Sequence, residues 1–121
     1  MLKSATPVLR VESAKAARDF FEPLGFEMLF HVPARWESSE PSYMAFRREA
    51  VVIHASSHSG DGQGGAVVNI LVEDVDKLHA EFAAKDVAID TGPIDQSWGM
   101  REMYVKDGML NALRFVQPIE D

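Results

Sequence analysis

Hydrophobic and polar positions along this chain follow two periods, and the change from one to the other marks its elements. Pro7 to Val11 is a short β-rich run. Ser13 can cap a helix, because its hydroxyl accepts an otherwise orphan amide proton of the first turn. Ala17, Phe20, Phe21 and Leu24 then recur at helical spacing and predict one buried stripe. Pro23 weakens the last turn, and Gly25 can stop the helix in the left-handed conformation. Strand-like runs follow at Phe26 to His31, Tyr43 to Arg47 and Ala50 to Ala55.

The same order then returns. Val67 to Val72 reads as a strand, Asp74 as an N-cap, and Asp76 suits the positive end of the following helix. Val75, Leu78 and Phe82 form its stripe, and strands are expected at Val87 to Asp90, Arg101 to Lys106 and Ala112 to Val116. Val11-Glu12-Ser13-Ala14 and Val72-Glu73-Asp74-Val75 stand 61 positions apart, and at that offset Phe21 meets Phe82, Ala17 meets Leu78 and Phe26 meets Val87. The stretch from Ser57 to Gly65, with four glycines, joins the halves as a linker.

The prediction is an α+β fold of two tandem βαβββ modules, at about 4–58 and 65–118, within a single domain over 1–121. One helix covers only one face of a four-stranded sheet. The other face is left for the other half, a second chain or a ligand.

Composition narrows the chemistry. With no cysteine, disulfides, thiolate metal sites and a cysteine nucleophile are excluded. The net charge of −7 disfavours nucleic acid and would attract a cationic small ligand, although it serves solubility equally well. No signal-peptide pattern opens the chain and no run approaches a membrane span, so a cytoplasmic protein with no membrane partner is expected. There is no G-x-S-x-G motif. Gly60 to Gly65 lacks the Lys and Ser/Thr of a phosphate loop, so it reads as linker.

Side chains outside the helical stripes are the binding candidates. Trp36, in the loop from Pro33 to Pro41, can pack as a lid or contact a ligand. Trp98 precedes the Gly99 turn and can either close the end of a sheet or stack on a ligand. Arg101 and Glu102 are adjacent, so on a strand they point to opposite faces, and Tyr104 shares the face of Glu102.

Three stretches carry a family resemblance that covers about Thr6 to Gln117. The first is Val8-Leu9-Arg10-Val11 with Phe20-Phe21 and Leu24-Gly25-Phe26. The second is Val72-Glu73-Asp74-Val75-Asp76 followed by Leu78-His79-Ala80-Glu81-Phe82. The third runs from Trp98-Gly99-Met100-Arg101 through Asp107-Gly108 to Leu113-Arg114-Phe115. Together they resemble the glyoxalase/bleomycin-resistance (vicinal oxygen chelate) superfamily. Gly60-Asp61-Gly62 and Asp95-Gln96-Ser97-Trp98-Gly99 are most similar to its bleomycin-resistance-like branch. Where family members usually read DPDGN, this chain has Asp107-Gly108-Met109-Leu110-Asn111.

The resemblance implies four metal-ligand positions, which fall on Thr6, Ile53, Val67 and Arg114. That set cannot hold a divalent ion, and a slip of one residue would bring in only His54. His58 and Asp61 lie in the linker without further ligands, and His31 and His79 read as strand-end and helix-surface residues. No metal or cofactor is therefore expected. The resemblance also places Arg10 and Arg114 on inner strands. A buried arginine needs a carboxylate, from Glu102 or from a ligand. The implied function is metal-free binding of a planar or cationic small molecule, such as a bleomycin-type antibiotic, by a homodimer. The alternative is a lyase, isomerase or dioxygenase of the same superfamily.

Overall fold

The computed structural model describes residues 1–35 and 38–120, with the side chains of 35, 38 and 39 left aside. Eight strands form two four-stranded sheets, each packed on one α-helix. The first sheet has the order β1-β4-β3-β2: β1 is Val8–Arg10, β2 Glu27–Arg35, β3 Ser38–Arg48 and β4 Val51–Ser56. The second has the order β5-β8-β7-β6: β5 is Val67–Leu71, β6 Thr91–Asp95, β7 Met100–Lys106 and β8 Ala112–Pro118. In each sheet the first strand pairs parallel to the last, and the other pairs are antiparallel.

Helix α1 (Ala14–Phe21) is capped by the Ser13 side chain, which accepts from the Ala16 amide, and Glu40 of β3 accepts from the Ala14 amide at 2.6 Å. Pro23 sits in a 3-10 turn, Glu22–Leu24, and Gly25 closes it at φ 84°. Helix α2 (Val75–Ala84) is capped by Asp74, which accepts from the Lys77 amide. Ala17, Phe21 and Leu24 are buried as the periodicity predicts, whereas Phe20 and Leu78 are half-buried at the core edge. Phe21 stacks on Phe46, and Phe82 meets Phe115 edge-on. Burying each such ring contributes about 1.5–3 kcal/mol. One continuous core joins both halves, and Asn111 ties them further by donating to the Arg10 carbonyl.

Three expectations about strands are corrected. Val87 to Asp90 is not a strand: Val87 and Ile89 pack on the core, and the sixth strand is Thr91–Asp95. Gly92-Pro93 looks like a strand breaker, but β6 is an edge strand, where a missing amide donor is tolerated. Likewise β2 and β3 run beyond His31 and start before Tyr43. The β3–β4 pairing ends at Tyr43–Ser56, so Pro41 needs no partner on that side. The third correction concerns register within the repeat. Val8 and Asn69, 61 positions apart on the two parallel first strands, pair with His54 and Arg114, so Arg114 corresponds to His54 at a separation of 60, not to Ile53. Insertions and deletions between the caps and the last strands shift the offset. Ile53 is fully buried on the helix side.

Candidate functional site

Strand alternation gives each sheet one face against its helix and one open face. On the first sheet, Val8 and Arg10 of β1, His54 of β4, Tyr43 of β3 and Phe30 and Val32 of β2 share the open face. The Tyr43 hydroxyl and His54 Nδ1 are hydrogen-bonded at 2.7 Å, and Phe30 packs beside both rings. Burial, and then the charge of Asp61, raise the Tyr43 phenol above its ordinary value. Arg10 donates to the carbonyl of His58, which ties it to the linker.

On the second sheet, the registers set Asn69, Arg114, Tyr104 and Thr91 in one row across β5, β8, β7 and β6. Leu71, Val116, Glu102 and Ile94 form the next row. Glu102 is buried, with 5% of its surface exposed, and both carboxylate oxygens are engaged. The Tyr104 hydroxyl donates to Oε1 at 2.6 Å, and the Trp98 indole donates to Oε2 at 2.9 Å. Gln96 donates to the Tyr104 hydroxyl at 3.3 Å. The bond to Glu102, reinforced by burial, raises the Tyr104 phenol above its ordinary value, so it stays a donor. The Arg114 guanidinium lies over the Tyr104 ring, 4.6 Å from its centre. The Trp98 side chain, anchored by its N–H, still leaves the residue 62% exposed. An exposed indole held by a buried carboxylate offers a rigid stacking surface.

The structure thus brings Trp98, Glu102, Tyr104 and Arg114 together, with Arg10 and His54 on the open face of the other sheet. Arg101 is not part of either group. It projects from the helix side of β7, where Asp76 of α2 and Asp95 of β6 bind it. Those contacts raise the arginine and lower Asp76 from their ordinary values. Adjacent residues on a strand face opposite ways, so Glu102 on the open face puts Arg101 on the other. Trp36 lies outside the described residues. Asn69, Gln96, Tyr43 and Phe30 belong to these faces and were missed in the sequence. Asn69 carried a legible signal, as a lone amide between the apolar Val68 and Ile70.

A separate hollow of about 860 Å³ opens where the halves meet on the helix side, walled by Phe26, Val51, Ile70 and Leu78 and by the Arg48–Glu81 ion pair. Its polar wall is a paired guanidinium, the Lys77 ammonium and several carboxylates, with none of the aromatic and amide groups of the open faces.

The family model described as glyoxalase superfamily protein matches residues 1–121. The chain belongs to the glyoxalase superfamily. No curated protein matches it in sequence. Among solved structures it is similar to a bleomycin-binding protein complexed with bleomycin, at 20% identity and a TM-score of 0.74, over 96% of this chain and 98% of that one. It is also similar to the bleomycin resistance determinant encoded on transposon Tn5, at 20% identity and a TM-score of 0.75, over 97% and 98%. A third is TnmS3, an antibiotic-binding protein from Streptomyces sp. CB03234, at 22% identity and a TM-score of 0.68, over 98% of both chains. These likenesses establish the fold of two tandem modules.

The superfamily's metal positions can be tested against the side chains present. With the register corrected they are Thr6, His54, Val67 and Arg114. A single imidazole, a hydroxyl, an alkyl group and a fixed cation do not fit a divalent ion, which needs about three anionic or imidazole donors. Among the described residues no three His, Asp or Glu side chains converge elsewhere.

Proposed function

We propose that this chain binds a planar small molecule on the open sheet faces, as one domain in two modules (about 4–58 and 65–118), and does so as a homodimer. The observation that carries this reading is the anchored indole of Trp98, exposed beside Tyr104, Glu102 and Arg114. The antibiotic-binding relatives of the same fold support it. The dimer is supported by apolar side chains left exposed on both open faces: Phe30 and Val32 on the first, Val67, Leu71 and Ile94 on the second. Two open faces in one chain can be closed pairwise by a two-fold axis, giving two equivalent grooves. Among the described residues no helix is long and apolar enough to cross a membrane, and a cytoplasmic location fits the proposed role.

The test is titration calorimetry with bleomycin and with 2-naphthamide, an uncharged planar probe, together with sedimentation at micromolar concentration. Saturable binding at or below about millimolar is expected, which corresponds to about −4 kcal/mol. Trp98→Ala should weaken it by about 1–3 kcal/mol, the range for losing an aromatic anchor. A chain that sediments as a monomer overturns the dimer. Absence of saturable binding by any planar probe overturns the function.

A further inference from the structure

We infer that the ligand of this groove carries an acidic group, and that Arg114 with Asn69 forms the subsite that receives it. The inference rests on the binding role proposed for the groove and refines it. The acidic chain as a whole suggests a cationic ligand, but the local arrangement reverses that expectation. Glu102 is the buried carboxylate of the open face, and its two oxygens already accept from Tyr104 and Trp98. Buried to this degree and with each oxygen already accepting one hydrogen bond, it presents little surface to a ligand cation.

Arg114 is in the opposite condition. Among the described residues it forms no hydrogen bond and no ion pair, and its Nε is buried with no partner. The tyrosine ring beneath it fixes the plane of the guanidinium without using any of its donors. A partly buried arginine with unused donors is complete only when an acceptor arrives, because a guanidinium carries five N–H groups and no acceptor. Two N–H groups in one plane match a carboxylate bidentately.

The neighbours agree. Asn69 pairs directly with Arg114 across β5 and β8, is exposed, and can add an amide donor. Tyr104, on the other side, spends its proton on Glu102 and so offers the anion only its ring. Glu102 is diagonal to Arg114, and no ion pair joins them. The indole of Trp98 is anchored on Glu102, and one diagonal gap of the sheet separates Glu102 from Arg114 on the same face. A flat ring system bearing a carboxylate, sulfonate or phosphate near one end spans that gap.

Three probes with the same ring system separate this subsite from the groove as a whole: 2-naphthoate, 2-naphthamide and 2-naphthylmethylammonium, each titrated calorimetrically. The expected order places naphthoate about tenfold or more tighter than naphthamide, with the ammonium weakest. Salt should erode the naphthoate preference. Arg114→Gln should bring the naphthoate-to-naphthamide ratio near one, and Arg114→Lys should restore part of it. Wild-type protein that binds the ammonium best, or the amide as tightly as the acid, overturns the acidic subsite while leaving planar binding intact. A naphthoate preference that survives Arg114→Gln overturns the assignment to Arg114. Failure of all three probes overturns the groove reading, and the subsite with it. If Arg114→Gln loses its folded circular-dichroism spectrum, the wild-type order and its salt dependence decide the matter.

Discussion

Asn111 shows what one side chain can hold. It is fully buried in the turn after β7, where its Oδ1 accepts from the Ala66 amide and its Nδ2 donates to the carbonyl of Arg10 and to Asp107. It links the start of β5, the end of β1 and the β7–β8 turn in one residue. Replacing it with alanine removes three bonds and leaves the partly buried Ala66 amide and Arg10 carbonyl without that partner. Unsatisfied groups of that kind cost about 1–3 kcal/mol each. Asn111→Ala is therefore expected to lower the unfolding free energy by about 3 kcal/mol, read from the urea midpoint. A shift under about 0.5 kcal/mol, the range of an ordinary surface change, would show that water replaces the bonds.

Among the elements, β6 leads into the turn that presents the indole of the candidate site. Gly92 stands in β6 at φ 86°, and a Cβ there would lie 2.2 Å from the backbone oxygen of Glu102. A side chain at this position both strains the backbone and pushes β6 from β7. Gly92→Ala should destabilise the fold by about 2 kcal/mol or more, the scale of a strained backbone clash. Because β6 leads into Gln96 and Trp98, the variant should also shift tryptophan emission toward that of a solvated indole. Wild-type stability and emission would show that β6 and β7 can part without cost. The helices behave more simply, since their caps and stripes are local devices.

Across the whole molecule, Arg48 of β3 and Glu81 of α2 join the two halves through a bidentate ion pair at 2.6 and 2.9 Å. The hydrogen bond from Arg48 holds the Glu81 carboxyl below its ordinary 4.5, against a smaller opposing effect of burial. A carboxyl whose folded value is depressed adds stability that is complete above its unfolded value and is lost as pH falls through the folded one. The pair is about a third exposed, so its worth is about 0.5–1 kcal/mol. Glu81→Gln should be less stable than the wild type by that amount at neutral pH. The gap should close as pH drops below 4.5. A gap that is constant with pH would mean that the pair contributes packing and not charge.

The sequence by itself determined what is local and periodic: the two caps, the buried stripes of both helices, the left-handed stop at Gly25, the tandem modules and the linker between them. Those features arise from a few neighbouring residues and from periods of 3.6 and 2 that can be counted along the chain. Tertiary structure alone decided the pairing register, and with it which face each polar residue joins. A single-residue drift in the repeat moved the last-strand position from Ile53 to His54, since side chains on a strand reverse face with every step. It also decided the charges. Arg101 and Arg114 are equivalent as letters, but one is held by Asp76 and Asp95, and the other lies over a tyrosine with its buried Nε unpartnered among the described residues. Whether an ionised group has a partner depends on residues far away in the chain, so no local pattern records it.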